Sequence, residues 1–199
     1  ILLSLWWFSL PKDLFKAPLS TVVWSADHKL LGARVASDQQ WRFPAQDSVS
    51  QKFKDCIIYF EDEYFEYHFG FNPVSMGKAL WQNITTDSKR GGSTLTQQVV
   101  RLSRGNRQRT YAEKLKELFL SIRLEATFSK DDILNFYATY APFGGNIVGL
   151  ETAAWRYYNL PSKDLSWAQT AALAVLPNAP SLVFPGKNQS VLKAKRDRL

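Results

Sequence analysis

The sequence predicts a mainly helical domain preceded by a small β-element, on three observations. Apolar residues recur at helical spacing from Phe53 onward. Three helix-start signatures punctuate the same region: Asn72-Pro73, Thr94 with Gln97, and Ser166 with Gln169. Ahead of them, two β-prone runs flank Asp27-His28 as the arms of a hairpin would. No internal repeat or low-complexity tract interrupts the pattern.

In chain order, Ile1 to Leu10 is apolar until Pro11-Lys12-Asp13 breaks it. Ten helical residues reach about 15 Å, half a bilayer core, so this stretch alone cannot span a membrane. Residues 1–12 are expected to be the trailing end of a membrane anchor, with Trp6 and Trp7 at the interface. A short apolar segment packed on the domain is the alternative. Residues 13–50 form a β-containing segment, in which Thr21-Val22-Val23-Trp24 and Leu30 to Val35 are the hairpin arms and Pro44 closes the section. His28 at the turn is read as structural or solvated.

Residues 51–199 are the main domain. Phe53, Ile57, Phe60 and Tyr64 define one apolar helical face. Asn72 caps a helix with Pro73 at its first position, leading to Met76, Ala79, Leu80 and Ile84. Thr94 and Gln97 have capping-box spacing, so a helix starts there and buries Leu95, Val99 and Leu102. Leu115, Leu118, Phe119, Ile122 and Ala126 follow the i, i+3, i+4, i+7 rule and predict a core stripe. Ser129 opens another helix with Asp131 and Asp132 at the positive end of its dipole. Ser166 and Gln169 start a further helix through Leu176, which Pro177 ends, and a basic helix runs toward Leu199.

Composition narrows the chemistry. The chain of 199 residues is 45% hydrophobic and 14% aromatic, in the range of one globular domain. A net charge of +7 suggests an anionic partner such as nucleic acid, an acidic lipid surface or a phosphate-bearing substrate. The single cysteine, Cys56, excludes an internal disulfide and a thiolate metal cluster, and Ile57 and Ile58 mark it as a buried structural thiol. Two histidines, His28 and His68, exclude a multi-histidine metal site, and neither has a convincing serine partner for a triad.

Two acids stand out. Glu61 and Glu117 are separated by a polar helix start, and such a pair is the minimum for glycosyl chemistry, where one group moves a proton and the other handles charge. Glu117 points away from the predicted stripe, yet Leu120 and Leu124 flank it, which places a carboxylate among leucines. Lys114 lies within pairing reach. Glu61, Phe65 and His68 share a face if the helix continues past residue 60, with Gly70 as a left-handed cap. The bland alternatives are a solvated helix end at Glu61, a solvated Glu117 and a packing histidine. Gly91-Gly92 before Ser93-Thr94 resembles an anion-binding helix start without the lysine and spacing of a P-loop. Lys89 and Arg90 precede it, and Gln97, Arg101 and Arg104 follow along one polar face, making a surface suited to a pyrophosphate. No base-reading motif is present, so nucleic acid is not expected as a partner.

Five blocks then occur in one order: Glu61-Asp62…Phe65…His68…Gly70; Gly92 to Gln98; Lys114…Glu117; Ser129 to Leu134 with Tyr137; and Leu173 to Pro180. On them the chain resembles the glycosyltransferase domain of class A penicillin-binding proteins, the peptidoglycan polymerases of lysozyme-like fold, over about Phe53 to Ser181. Ala141-Pro142-Phe143-Gly144-Gly145 looks most like the 1C branch. The chain departs from the family pattern at Glu113, where arginine is usual, and at Thr139, where asparagine is usual. Arg101, Arg104 and Arg109 are candidates to compensate for the missing cation.

The resemblance implies polymerisation of lipid II with inversion at the anomeric carbon and release of undecaprenyl pyrophosphate. Glu61 would be the general base. Lys114, Lys89, Arg90 and the Ser93–Gln98 helix start would stabilise the departing pyrophosphate, with Asp62, Phe65, His68, Ser93, Thr94, Gln97, Gln98 and Arg101 in substrate binding. Glu117 would either hold a divalent cation such as Mg²⁺ or orient Lys114. Implied partners are lipid II, the growing glycan strand, the membrane surface and other cell-wall synthesis proteins. The implied location is the inner (cytoplasmic) membrane, by a single-pass anchor, with the domain on the periplasmic side and an apolar patch around Phe65 to Phe71 near the bilayer. A lysozyme-like hydrolase or lytic transglycosylase, a non-catalytic scaffold and a basic nucleic-acid binder are the rival readings.

Overall fold

Backbone hydrogen bonding follows the predicted punctuation closely. The computed structural model describes residues 6, 10–11, 13–27, 29–86, 91–105 and 110–199, apart from the side chain of Leu80. His28, Trp7, Lys89, Arg90, Arg109 and most of the apolar segment 1–12 therefore lie outside the described residues. Strands β1 (Thr21–Trp24) and β2 (Leu30–Arg34) pair antiparallel with Thr21 opposite Arg34 and an irregularity between Val23 and Trp24, which is the expected hairpin. Strands β3 (Trp41–Arg42) and β4 (Ile147–Val148) add a short parallel pair.

The helices are α1 (Gln51–Glu61), α2 (Pro73–Thr85), α3 (Leu95–Ser103), α4 (Tyr111–Glu125), α5 (Lys130–Tyr140), α6 (Leu150–Tyr158), α7 (Trp167–Ala174) and α8 (Gln189–Arg196), with a 3₁₀ turn at Ser162–Asp164. The chain is thus mainly helical with an N-terminal hairpin. Asn72 caps α2 through Ser75 N–H, and both predicted capping boxes form, at Thr94/Gln97 and at Ser166/Gln169. Asp132 accepts from the Ser129 N–H at 2.9 Å and from its hydroxyl at 2.6 Å, which closes the start of α5. Helix α7 ends at Ala174, ahead of Pro177, and α8 carries Lys193, Lys195 and Arg196 in its last turn.

The chain divides into two compact units, one of Ile1–Phe15 and Glu61–Ile133, the other of Lys16–Phe60 and Leu134–Leu199. In the second unit, Phe53, Ile57, Phe143, Leu165, Leu173 and Leu176 are fully buried. The hairpin is tied to this core by Trp24, which meets Phe43 edge-on at 6.1 Å and Trp155 at 5.7 Å. Cys56 is buried there, and burial pushes its thiol up, as a structural cysteine requires. In the first unit, Phe65, Leu95, Val99, Val100 and Leu124 are wholly buried.

Three expectations are corrected. Helix α1 ends at Glu61 and residues 62–70 form tight turns, so Tyr64 leaves the predicted face and is exposed. Gly70 does not cap a helix. At φ +87° it lies against α4, where a Cβ would stand 2.6 Å from the Ser121 carbonyl carbon. The predicted core stripe of α4 is only partly inward: Leu115, Phe119 and Ala126 are exposed and Leu118 and Ile122 half-buried, whereas Ser121 and Leu124 are buried. Periodicity located an apolar stripe correctly but could not say which of its members the core covers.

Candidate active site

Every described candidate residue falls in the first unit, and α3 organises them. Its capping box satisfies the orphan amides of the first turn from within, with Thr94 Oγ1 accepting from Gln97 N–H and Gln97 Oε1 from Thr94 N–H. The Thr94 hydroxyl donates to the Gly70 carbonyl at 2.7 Å, which ties the helix start to the turns after Glu61. Gly92 is set by packing, because a Cβ there would stand 2.9 Å from Ala79 Cβ on α2.

One turn further on, Gln98 Nε2 donates to Glu61 Oε2 at 2.9 Å, and three residues later Arg101 Nε lies 3.9 Å from Glu117 Oε1. Residues i and i+3 share a helix face, so one face of α3 reaches both acids. Glu61 is half-buried, and the Glu117 side chain is only 12% exposed. An amide-held carboxylate at the edge of a helix can accept a proton from a hydroxyl. A partly buried glutamate beside a guanidinium can fix the direction in which that cation points.

Asp62, adjacent to Glu61, is buried and faces inward. Its Oδ2 accepts from Leu95 N–H at 2.9 Å and from His68 Nε2 at 2.8 Å. His68 Nδ1 is buried without a hydrogen-bond partner among the described residues, which suits an unprotonated acceptor nitrogen better than an N–H. Phe65 is fully buried, edge-on to His68 at 6.0 Å and under the Lys130 ammonium at 4.4 Å. Asp62, Phe65, His68, Thr94 and Gln97 therefore build the frame under Glu61. A carboxylate already occupies the dipole end of α3 that was expected to receive a pyrophosphate.

The cations are redistributed as well. Lys114 is exposed, and among the described residues the ion-pair partner of Glu117 is Arg101. Arg104 pairs with Glu113 at 2.7 Å, and Lys116 approaches the same carboxylate at 3.4 Å. Glu113, one of the departures from the family pattern, is thus neutralised locally, and the Arg104 hydrogen bond holds its carboxyl below the usual range. Thr139, the other departure, donates to the Asn135 carbonyl within α5 in the second unit. As a metal site the donor set is poor. Glu117 has an arginine beside it, and no group of three potential ligands occurs among the described residues.

Sequence reasoning missed Glu125, and it held Lys130 only as part of the Ser129-to-Leu134 block, without a role. The Glu125 side chain is 4% exposed, accepts from the Thr96 hydroxyl at 2.6 Å and pairs with Lys130 at 2.8 Å, while Lys130 also donates to the His68 carbonyl at 2.7 Å. The available signal was an acid following Leu124 at the inward end of α4.

Comparison with known proteins identifies the family of the chain. A family model described as Transglycosylase matches residues 27–199. The chain is 36% identical over 191 residues to penicillin-binding protein 1C of Escherichia coli (strain K12), covering 95% of this chain and 25% of that protein. It is 34% identical over 184 residues to penicillin-binding protein 1A of Rickettsia bellii (strain RML369-C), covering 90% and 23%. A crystal structure of penicillin-binding protein 1A from Haemophilus influenzae overlaps it with a TM-score of 0.45 at 18% identity, covering 92% of this chain and 18% of that one. The chain spans about a quarter of the length of these curated relatives. Among the described residues no helix is long and apolar enough to cross a membrane. With the family model matching from residue 27 to the last residue, and relatives above one-third identity, the chain belongs to the transglycosylase family.

Proposed function

We propose that this domain is a peptidoglycan glycosyltransferase that joins lipid II units into glycan strands. The observation that carries the reading is the single face of α3 that holds Glu61 through Gln98 and Glu117 through Arg101. Glu61 takes the proton from the acceptor sugar's 4-hydroxyl as that oxygen attacks C1 of the donor. The new C1–O bond forms as the bond from C1 to the pyrophosphate breaks, its electron pair leaves with the pyrophosphate, and the anomeric centre inverts. General-base assistance of this kind contributes about 10²–10⁴-fold, and fixed placement of two bound chains adds to it.

Charge building on the leaving pyrophosphate needs preorganised cations. Arg101, oriented by Glu117, and exposed Lys114 supply them, with Lys89 and Arg90 from the segment ahead of α3. Glu117 acts by aiming Arg101, and no step is routed through a divalent cation. The lipid tail stays in the bilayer, and the first unit offers it an apolar surface at Tyr67, Phe69, Trp81, Leu115 and Phe119, all exposed. Phe65, expected in that patch, is core. The apolar residues 1–12 belong to a membrane anchor in this reading, with the domain on the periplasmic face, where other cell-wall synthesis proteins can meet it.

Labelled lipid II incubated with the full chain tests the reaction class. Long glycan strands and released undecaprenyl pyrophosphate are expected. Shortening of preformed glycan with no polymer from lipid II would point instead to a hydrolase or lytic enzyme.

A further inference from the structure

Below Glu61, buried polar groups close into a ring. Asp62 Oδ2 accepts from Leu95 N–H and His68 Nε2, and the His68 carbonyl accepts from Lys130 Nζ. Lys130 donates again to Glu125 Oε1, and that same oxygen accepts from the Thr96 hydroxyl. Thr96 follows Leu95 in the chain, so the circuit returns to Asp62. The side chains of Asp62, His68 and Glu125 are 4%, 6% and 4% exposed, and that of Lys130 is 22% exposed.

Ionic groups buried this deeply are a poor means of stabilising a fold, because desolvation offsets most of their attraction. What a closed ring adds is geometry. Each group has its direction set by the next, and only one register of α3 against residues 61–68 satisfies all of them. That register bears on the reaction. Asp62 is the neighbour of Glu61, and two residues beyond Thr96 is Gln98, which holds the Glu61 carboxylate. One turn later comes Arg101 beside Glu117. Glu61 is therefore located twice, through the main chain by Asp62 and through its side chain by Gln98, and the ring fixes both to one helix. Lys130 is itself held against the face of Phe65.

We infer that Thr96, Glu125 and Lys130 are positioning residues for the glycosyl transfer, locking α3 so that the Glu61 carboxylate stays within proton-transfer reach of the acceptor hydroxyl. The inference rests on the proposed function. No proton travels through the ring, and none of the three touches substrate.

Steady-state turnover of lipid II by the full chain tests it, with wild type, Glu61→Gln, Thr96→Val, Thr96→Ser, Lys130→Met and Lys130→Arg compared and each variant's melting temperature recorded. Thr96→Val, which removes one hydrogen bond, is expected to lower kcat about tenfold. Lys130→Met, which frees the register, is expected to lower it about 100-fold. KM should stay within about threefold in both, because ground-state binding is untouched. Thr96→Ser and Lys130→Arg should recover most of the loss. Folded Thr96→Val with wild-type kcat, or a loss confined to KM, would overturn the inference, and the Thr96 pair decides if Lys130→Met does not fold. If wild type polymerises and Glu61→Gln does not, the function reading stands whichever way the Thr96 variants behave. No polymer from wild type would bring down both.

Discussion

At Gly70 the chain runs at φ +87° against the backbone of Ser121, leaving no room for a side chain. Gly70→Ala combines a left-handed conformation disfavoured for alanine with displacement of α4, so a loss of about 2–4 kcal/mol is expected in denaturant unfolding. Unchanged stability would mean that this close approach is absent in solution. Ser129 and Asp132 offer a second check, since the Ser129 hydroxyl and N–H hold the Asp132 carboxyl below its ordinary value. A lowered folded-state pKa gives stability that is present above the unfolded value and lost as pH falls through the folded one. Asp132→Asn should therefore cost stability at neutral pH, on the order of 1 kcal/mol as for other caps. The gap to wild type should close in acid, below about pH 4. Residue chemistry was legible where it is local: the caps at Asn72, Thr94 and Ser166 were read from spacing alone. Gly70 was misread because its constraint comes from Ser121, far along the chain.

Helix α4 has two apolar sides of different meaning. Leu124 and Ser121 face the core, while Tyr111, Leu115 and Phe119 recur every four residues on the exposed side. Trp6 approaches that side, with Nε1 donating to the Phe119 carbonyl at 3.2 Å and its ring 5.9 Å from the Arg123 guanidinium. If the domain acts on a lipid-linked substrate as proposed, such a stripe is expected to rest on the bilayer. Leu115→Ser with Phe119→Ser should weaken binding of the chain to phospholipid vesicles about 100-fold, at about 1.5 kcal/mol per large side chain withdrawn, with little change in melting temperature. Loss of melting temperature with intact vesicle binding would assign the stripe to packing instead. Hydrophobic spacing cannot distinguish an exposed apolar face from a buried one, which is why this face was expected inside.

For the whole molecule, helical periodicity and capping signatures were enough to predict a mainly helical chain with a hairpin ahead of it. The parallel pairing of Trp41–Arg42 with Ile147–Val148 was not legible, because two-residue strands carry no alternation and meet across more than a hundred residues. The acids were legible, since Glu117 among leucines and Glu61 before an aromatic run are both unusual. Their partners were not. The sequence offered Lys114 for Glu117, but the packing of α3 on α4 brings Arg101, and a local lysine loses to a neighbour across a helix pair. Asp62 reads as a substrate contact in the sequence, but its carboxylate accepts from the Leu95 amide.

The central claim is that Glu61 removes the acceptor proton, and Glu61→Gln tests it with almost no change in shape. Lipid II binding and the melting transition should match wild type, while the rate of glycan formation falls about 10²–10⁴-fold. A Glu61→Gln protein that builds glycan at the wild-type rate would contradict the account.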